Sequence, residues 1–323
     1  MPDHHSAPAE RTLAVIDIGT NSAKLMIARV RPDTGAVTEL RFATETTRIG
    51  EGCSSTGQVA ASALFRTVSA LQRYRNLVEQ FGCEASFAFS TEALRIARNT
   101  EDVVRTIAEQ TGLEVRVLSA REEARFAYLS ARMRLPRLKA HALLFDVGGG
   151  STEVVWARGE EILVATSLPL GALHLTESYL RTDPIDPREF DALRTHVRET
   201  VVSRIGPPVL SNLRARAIDL VASGGSITTL RDMRDAGSAG PALVSPKLRI
   251  GDVRRLEKTC LTLTLARRKR VPGLDPDRAD IIPAGLAIVL AFMESTGKRV
   301  LTVNPGGVRE GVLVHVAQND LRW

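Results

Sequence analysis

The amino-acid sequence predicts an α/β protein built from two related lobes, and three observations support this. The chain has 323 residues, more than a single hydrophobic core usually supports. Strand-like apolar runs alternate with amphipathic helical stretches along most of its length, which is typical of α/β folds. The segment at 13–29 also resembles the segment at 142–158, which indicates an internal repeat.

Each copy of the repeat has an apolar run, an Asp, a turn rich in Gly, Ser and Thr, and a second apolar run. At one constant offset the identical pairs include Asp17/Asp146, Gly19/Gly148 and Ser22/Ser151. This pattern predicts a β-hairpin with a polar, glycine-rich tip. We expect one hairpin in each lobe, with the two hairpins facing each other across a central cleft.

The remaining elements follow from local patterns. Helical spacing of apolar residues predicts helices at 58–80, 93–97, 103–108, 119–134, 171–181, 188–205, 251–262 and 277–294. Short apolar runs predict strands at 85–89, 115–118 and 217–222. A hinge is predicted at 136–139, and the Gly-, Ser- and Pro-rich stretch at 235–246 predicts a mobile loop. The first lobe is therefore expected at 1–135 with 305–323, and the second at 136–304.

Composition narrows the class of protein. The longest apolar run, at 281–293, contains Pro283 and Gly285 and is too short to span a bilayer, so it predicts a buried helix and no membrane partner. The first ten residues have neither a basic start nor an apolar core, so we expect a cytoplasmic location. Only 4% of the residues are aromatic, which argues against a surface that stacks nucleic-acid bases.

The charge balance favours polyanionic partners. The formal net charge is +6 at pH 7, and basic residues are densest at Arg267, Arg268, Lys269 and Arg270. This run is interpreted either as a solvated loop or as a contact for a polyanion.

The two hairpin tips carry the strongest chemical signal. Glycines allow the backbone to approach a phosphate closely, and consecutive N–H groups form an anion-binding nest. The predicted phosphate-binding residues of the tips are Gly19, Thr20, Asn21 and Ser22 in the first and Gly148, Gly149, Gly150, Ser151 and Thr152 in the second. Asp17 and Asp146 stand at strand ends, where each could hold Mg²⁺, or Mn²⁺, directly or through water. Two tight turns capped by Asp are the alternative, which the presence of two related copies disfavours.

Seven motifs in order resemble the exopolyphosphatase/guanosine pentaphosphatase family. They are IDIGTNS, STEALRIARN, REEARFAYL, FDVGGGSTE, SLPLGALHLTE, ASGGSITTL and GGVREGVL, and the likeness runs from about Thr12 to the C-terminus. The resemblance is to the short, two-lobed members. It implies the actin-like (ribonuclease H-like) ATPase-superfamily fold shared by actin, sugar kinases and chaperone ATPases.

Two adjacent glutamates have different expected roles. Ser119 and Glu122 fit a capping box, in which the glutamate side chain bonds back to the start of the helix. Glu123 then lies on a different face of the helix. The resemblance aligns Glu123 with the family's catalytic glutamate and implies that it is the general base for the attacking water.

The resemblance implies further site residues. Glu153, directly after the second tip, is expected to position metal and water, and Lys24 at the equivalent place is either a phosphate contact or a solvated lysine. Arg95 and Asn99, four residues apart, are expected to share a helix face towards the phosphate cleft.

Two other segments are placed by the same resemblance. Gly224, Gly225 and Ser226 lie where the superfamily contacts adenosine, although the family often has a different small-residue turn there, so nucleotide binding stays open. Arg309 and Glu310 are expected to be structural and to hold the C-terminal helix on the first lobe.

The leading hypothesis is therefore metal-assisted hydrolysis of terminal phosphoanhydride bonds in polyphosphate or guanosine pentaphosphate. An acetate- or sugar-kinase-like phosphotransferase would share the fold and both tips, but would not need the REEAR segment. A regulator that binds guanosine alarmones without turnover is the non-enzymatic alternative. The sequence does not choose among the substrates and leaves the oligomeric state open, with a homodimer as a candidate.

Overall fold

The computed structural model describes residues 10–135, 138, 141–237 and 245–323. Contacts divide the chain into two units. The first comprises residues up to Arg134 together with Gly307–Trp323, and the second comprises Leu135–Gly306. Most of the predicted hinge at 136–139 and of the predicted loop at 235–246 lies outside the described residues.

Helices and strands alternate along both units. The strands are β1 Arg11–Ile18, β2 Ala23–Val30, β3 Val37–Glu45, β4 Ala85–Ser90, β5 Val115–Val117, β6 His141–Val147, β7 Thr152–Arg158, β8 Glu161–Leu168, β9 Asp219–Ser223, β10 Lys247–Arg249 and β11 Val300–Val303. The helices are α1 Cys53–Thr56, α2 Ala61–Gln80, α3 Glu92–Ile96, α4 Thr100–Thr111, α5 Ala120–Arg134, α6 Ala172–Tyr179, α7 Pro187–Ile205, α8 Pro207–Ala215, α9 Gly225–Ala236, α10 Ile250–Thr262, α11 Leu265–Arg268, α12 Ile282–Thr296 and α13 Val308–Gln318.

The repeated segments form β-hairpins in two separate sheets. In the first unit the strand order is β3-β2-β1-β4-β5, and β1 pairs antiparallel with β2 and parallel with β4. In the second unit the order is β10-β11-β9-β6-β7-β8, and β6 pairs antiparallel with β7 and parallel with β9. The hairpin predictions are confirmed. Each tip lies at the carboxyl ends of the parallel strands, the edge where α/β sheets bind ligands.

The apolar helix α12 forms the centre of the second unit's core. Nearly all of its residues are buried, and Phe292 stacks on Phe145 of β6 with ring centroids 4.2 Å apart. This explains why the run is apolar on every side, and it confirms the predicted buried helix. Among the described residues, we find no helix that combines the length and the apolar character required for a membrane span.

Helix α13 is held against α5 within the first unit. Glu310 is buried, and its carboxylate accepts hydrogen bonds from Arg134 Nη2 at 2.7 Å and Ser130 Oγ at 3.2 Å. A Cβ at Gly311 would lie 2.0 Å from the carbonyl oxygen of Phe126, so only glycine permits this close approach of the two helices. The expected structural role of Glu310 is confirmed.

Several elements were not predicted. Strands β3 and β8 follow directly after the two hairpins and extend the sheets to their edges, where most of their residues are partly or fully exposed. Their sequences therefore lack the continuous apolar run by which β1 and β6 are recognised. Strand β11 and helix α8 are short and were also missed.

Candidate functional site

The two hairpin tips are closed by the same backbone hydrogen bond. The N–H of Gly19 donates to the carbonyl of Ser22 at 3.2 Å, and the N–H of Gly148 donates to the carbonyl of Ser151 at 2.9 Å. The repeat in the sequence is therefore a repeat of backbone conformation, and the two loops can be compared residue by residue.

In the first loop, two successive carbonyls are bonded to the segment behind it. The carbonyl of Thr20 accepts from Gly50 N at 3.0 Å, and the carbonyl of Asn21 accepts from Arg48 N at 2.9 Å. Since the C=O and N–H of one trans peptide point in opposite directions, the N–H groups of Asn21 and Ser22 point away from that segment. Two consecutive outward N–H groups are the arrangement that binds anions.

The second loop has the same arrangement, built on α6. The carbonyl of Gly148 accepts from Ala172 N at 3.0 Å, and the carbonyl of Gly149 accepts from Leu173 N at 2.8 Å. By the same geometry the N–H groups of Gly149 and Gly150 point away from α6. Within the described parts of the chain, no acceptor bonds to either N–H group.

The loop side chains are largely engaged within the protein. Thr20 Oγ1 donates to Glu92 Oε2 at 3.4 Å, and Asn21 Nδ2 donates to Ser22 Oγ at 3.1 Å. Thr152 is fully buried, and its Oγ1 donates to the carbonyl of Leu170, just after the end of β8. The predicted hydroxyl contacts to phosphate therefore carry less weight than the backbone N–H groups.

The residues that face the two aspartates differ between the hairpins. In the first hairpin Asp17 pairs across the strands with Lys24, and its Oδ2 also accepts from Arg309 Nη1 at 3.1 Å. In the second hairpin Asp146 pairs with Glu153. Directly paired residues of neighbouring strands lie on one face of the sheet, so two carboxylates are neighbours in the second hairpin.

Glu153 is held in place by two hydroxyl groups. Ser151 Oγ and Ser167 Oγ donate to Glu153 Oε1 at 2.7 and 2.8 Å, and the residue is only 1% exposed. Hydrogen bonds of this kind fix the orientation of a carboxylate.

Glu123 is buried beside an arginine in the first unit. The residue is 7% exposed, and Arg95 Nη1 donates to its Oε2 at 3.0 Å and to the carbonyl of Leu118 at 2.9 Å. The guanidinium both compensates the buried charge and fixes the position of the carboxylate. Arg95 and Glu123, which were predicted separately, are therefore direct partners.

Glu122 has the structural role predicted for it. Its Oε2 accepts from the N–H of Ser119 at 2.9 Å, and its own N–H donates to Ser119 Oγ at 3.2 Å, which completes the capping box. Partial burial acts to raise the pKa of Glu122, but the hydrogen bonds from Ser119 and the charge of Arg116 outweigh it and lower the pKa below its usual value. The capping-box prediction is confirmed.

The predicted helix face shared by Arg95 and Asn99 was wrong. Helix α3 ends at Ile96, and Ala97 is extended, so Asn99 lies outside that helix at the start of α4. Its side-chain amide accepts from Val59 N at 2.9 Å and donates to the Val59 carbonyl at 3.0 Å. Both ends of the amide are thus used to hold the start of α2, and Asn99 is not carried into the proposal below.

The turn at Gly224, Gly225 and Ser226 opens α9 and lies close to β6. Gly224 has a φ of 102°, and a Cβ there would lie 2.3 Å from the Val147 carbonyl oxygen, so both conformation and space require glycine. A Cβ at Gly225 would lie 2.3 Å from Nη1 of Arg278. The sequence analysis missed Arg278, because nothing in its local pattern indicates this approach to Gly225.

The residues present fit Mg²⁺ in the second hairpin better than in the first. Within the described ranges no three His, Cys, Asp or Glu side chains cluster in a way that could hold a metal ion alone. Mg²⁺ is often held by one or two carboxylates together with water and substrate phosphates, and Asp146 with Glu153 supplies such a pair. Asp17 is instead bonded to Arg309.

Two curated exopolyphosphatases are similar to this chain over nearly its whole length. Exopolyphosphatase 1 of Mycobacterium tuberculosis is 28% identical over 312 residues, which cover 95% of this chain and 89% of the relative. Exopolyphosphatase 2 of the same organism is 29% identical over 318 residues, covering 94% of this chain and 98% of the relative.

Solved structures match over nearly the whole chain as well. The Ppx/GppA family member of Aquifex aeolicus superposes with a TM-score of 0.77 at 28% identity and covers 98% of this chain and 100% of its own. An exopolyphosphatase of Cytophaga hutchinsonii, 22% identical, has the same fold with a TM-score of 0.86 and covers 97% of this chain and 99% of its own. The predicted fold class is confirmed. The model of the Ppx/GppA phosphatase family matches residues 8–320, and the chain therefore belongs to that family.

Proposed function

We propose that this protein hydrolyses the terminal phosphoanhydride bond of inorganic polyphosphate, with guanosine pentaphosphate as a second candidate substrate. Family membership and the exopolyphosphatase relatives support the phosphatase class. The observation that carries the proposal is the pair of loops with outward N–H groups, at Asn21–Ser22 and Gly149–Gly150, because phosphoryl transfer depends chiefly on holding and neutralising phosphate oxygens.

Mg²⁺ is proposed as the cofactor, with Mn²⁺ as an alternative. Asp146 and Glu153 would hold it, and when bound it would neutralise charge on phosphate oxygens. The hydroxyls of Ser151 and Ser167 keep the Glu153 carboxylate in a fixed orientation, so this residue is prepared to bind a cation without rearrangement.

Glu123 is proposed as the general base. It accepts a proton from the attacking water, whose oxygen forms a bond to the terminal phosphorus while the bond to the bridging oxygen breaks. Orthophosphate and a chain shorter by one phosphate result. Arg95 positions Glu123 through the hydrogen bond at 3.0 Å, and also ties it to the carbonyl of Leu118.

The test compares two adjacent glutamates. Glu123→Gln keeps the shape and hydrogen bonding of the side chain but removes the proton acceptor, so we expect turnover to fall by about 10²–10⁴-fold. Glu122→Gln should cost little, because Gln also serves at this position of a capping box. Phosphate release is measured with Mg²⁺ from long polyphosphate, short polyphosphate and guanosine pentaphosphate. Equal turnover of Glu123→Gln and wild type would refute the assignment of the base.

Two further measurements separate the other hypotheses. Transfer of labelled phosphate from ATP to an acceptor would favour a kinase-like enzyme. Tight binding of guanosine alarmones without phosphate release would favour a regulator. The cytoplasmic location and the homodimer stay predictions from the sequence.

A further inference from the structure

The basic run singled out in the sequence forms an ordered turn on the second unit. Helix α11 ends at Arg268, and helix-type backbone hydrogen bonds continue beyond it. The N–H groups of Lys269, Arg270 and Val271 donate to the carbonyls of Leu265, Arg267 and Arg268, each at 3.0 Å. Arg267, Lys269 and Arg270 are exposed. These three residues, the basic turn below, present their charges on a defined backbone rather than on a flexible loop.

The fourth cation of the run anchors the turn. Arg268 is only 3% exposed, and its Nη2 lies 3.6 Å from Asp183 Oδ1. The same carboxylate oxygen accepts from the N–H of Leu265 at 2.7 Å. Asp183 therefore holds both the start of α11 and the buried arginine, which fixes the turn against the body of the unit.

The charges of the basic turn are not neutralised by the protein. Among residues the structure describes, no carboxylate lies within ion-pair distance of Arg267, Lys269 or Arg270. Two exposed arginines of α10 in the same unit are paired instead: Arg254 with Glu294 at 3.0 Å and Arg255 with Asp252 at 2.8 Å.

Asp275, the next acidic residue in the sequence, does not neutralise the basic turn either. Asp275 Oδ2 lies 3.5 Å from Arg278 Nε, and its Oδ1 accepts from the N–H of Asp277 at 3.0 Å. Three cations within four residues therefore remain available to an anionic ligand.

We propose that the basic turn binds internal phosphates of long polyphosphate chains, which rests on the proposed function of the protein. Closely spaced cations on a rigid backbone suit a linear polymer with one charge or more per phosphate, and they raise its local concentration through the electrostatic field. The turn contains no aromatic residue to stack a base, which favours polyphosphate over single-stranded nucleic acid. Because the basic turn is proposed to hold internal phosphates while the terminal phosphate is cleaved, we expect it to contribute little to binding of a substrate of three phosphates.

The test compares two triple variants that remove equal charge from the same unit. Arg267→Gln/Lys269→Gln/Arg270→Gln removes the basic turn. Arg254→Gln/Arg255→Gln/Lys258→Gln is the control, because it removes three exposed cations of α10. We expect the first variant to raise KM for long polyphosphate by about tenfold and to leave KM for tripolyphosphate unchanged. The control variant should change neither KM value. The difference should shrink as salt rises from about 50 mM to about 200 mM.

Binding provides a readout that does not depend on turnover. In the Glu123→Gln background, loss of the basic turn should weaken binding of long polyphosphate by a similar factor. An equal KM for wild type and the basic-turn variant, or an equal increase in the control, would overturn the proposal. So would a variant that loses binding of single-stranded RNA but not of polyphosphate. Absence of phosphate release from every substrate by the wild type would instead overturn the proposed function.

Discussion

The two hairpins share a backbone but not a charge distribution. Both tips are closed by the same hydrogen bond, and both direct two consecutive N–H groups away from the supporting segment. The cross-strand partner of the aspartate, however, is Lys24 in the first hairpin and Glu153 in the second. Under the proposed function, anion binding would use the backbone of both copies, whereas Mg²⁺ binding would depend on the glutamate that stands at this position in one copy only.

Helix α13 adds to the difference in charge around the two aspartates. Arg309 donates to Asp17, and its guanidinium also lies over the ring of Phe42, 5.3 Å from the centroid. The first aspartate therefore faces two basic side chains, Lys24 and Arg309. We infer that Asp17 has a structural role in its loop, whereas Asp146 is the aspartate of the proposed metal site.

The largest effect expected from the comparison of the two hairpins tests this division of roles. Glu153→Gln retains the acceptor for the hydroxyls of Ser151 and Ser167 but removes the charge next to Asp146. We expect Mn²⁺ affinity, measured by calorimetry, to fall by at least about tenfold and phosphate release to fall with it. A chelator should abolish the activity of the wild type, and added Mg²⁺ should restore it.

Lys24→Gln is the matched control, since it neutralises the equivalent position of the first hairpin. It should leave Mn²⁺ affinity unchanged. It should raise KM for polyphosphate only a few-fold, because the single half-buried charge of Lys24 contributes little to binding. Equal Mn²⁺ affinities for the Glu153 and Lys24 variants, or full wild-type activity in excess chelator, would contradict the comparison.

The sequence was informative where the interaction is local. The hairpins depend on residues within one short segment, and the capping box of Glu122 spans three residues, so both could be predicted. The ion pair of Asp17 with Arg309 joins residues 292 positions apart, and no local pattern indicates it. The approach of Arg278 to Gly225 is likewise produced only by the fold.

The error at Asn99 has a different cause. Arg95 and Asn99 are spaced as helix neighbours, but the chain becomes extended at Ala97, so helical spacing does not apply to this pair. An amide that holds the backbone of Val59 has no sequence signal, because its partner lies 40 residues away.

A second, intermediate effect concerns the glycines that support the two loops. A Cβ at Gly171 would lie 2.1 Å from the carbonyl carbon of Gly150, so Gly171→Ala must displace the backbone of the second loop. We expect a loss of about 1–3 kcal/mol in the free energy of unfolding, measured in urea, and an increase in KM for polyphosphate.

The corresponding change in the first unit should be milder. A Cβ at Gly50 would lie 2.3 Å from Cγ2 of Thr20, which is the end of a side chain and can rotate at the expense of the hydrogen bond to Glu92. We expect Gly50→Ala to cost about 1 kcal/mol, the net value of an ordinary hydrogen bond. A larger loss for Gly50→Ala than for Gly171→Ala would show that the first loop is the more constrained of the two.

The smallest expected effect is a pH dependence confined to the unit that contains α13. His315 of this helix packs on Phe126 with ring centroids 5.2 Å apart. Burial, assisted by the charges of Arg125 and Arg116, lowers the pKa of His315 below its usual value of 6.5. The unfolded chain therefore binds this proton more readily than the folded one, so stability from the neutral imidazole is present above about pH 6.5 and is lost as the pH falls towards the folded pKa.

The two tryptophans allow each unit to be followed separately. Trp323 packs edge-on against Phe87 in the first unit, and Trp156 lies in β7 of the second. In the Trp156→Phe variant, the unfolding temperature reported by Trp323 should fall by a few degrees between pH 7.5 and pH 5.5. Adding His315→Phe should reduce this fall, because the ring contact remains but no longer carries a titrating group. With Trp323→Phe, His315→Phe should leave the pH shift reported by Trp156 unchanged. An equal change of the pH response at both tryptophans in His315→Phe would contradict the prediction that the pH dependence is confined to the first unit.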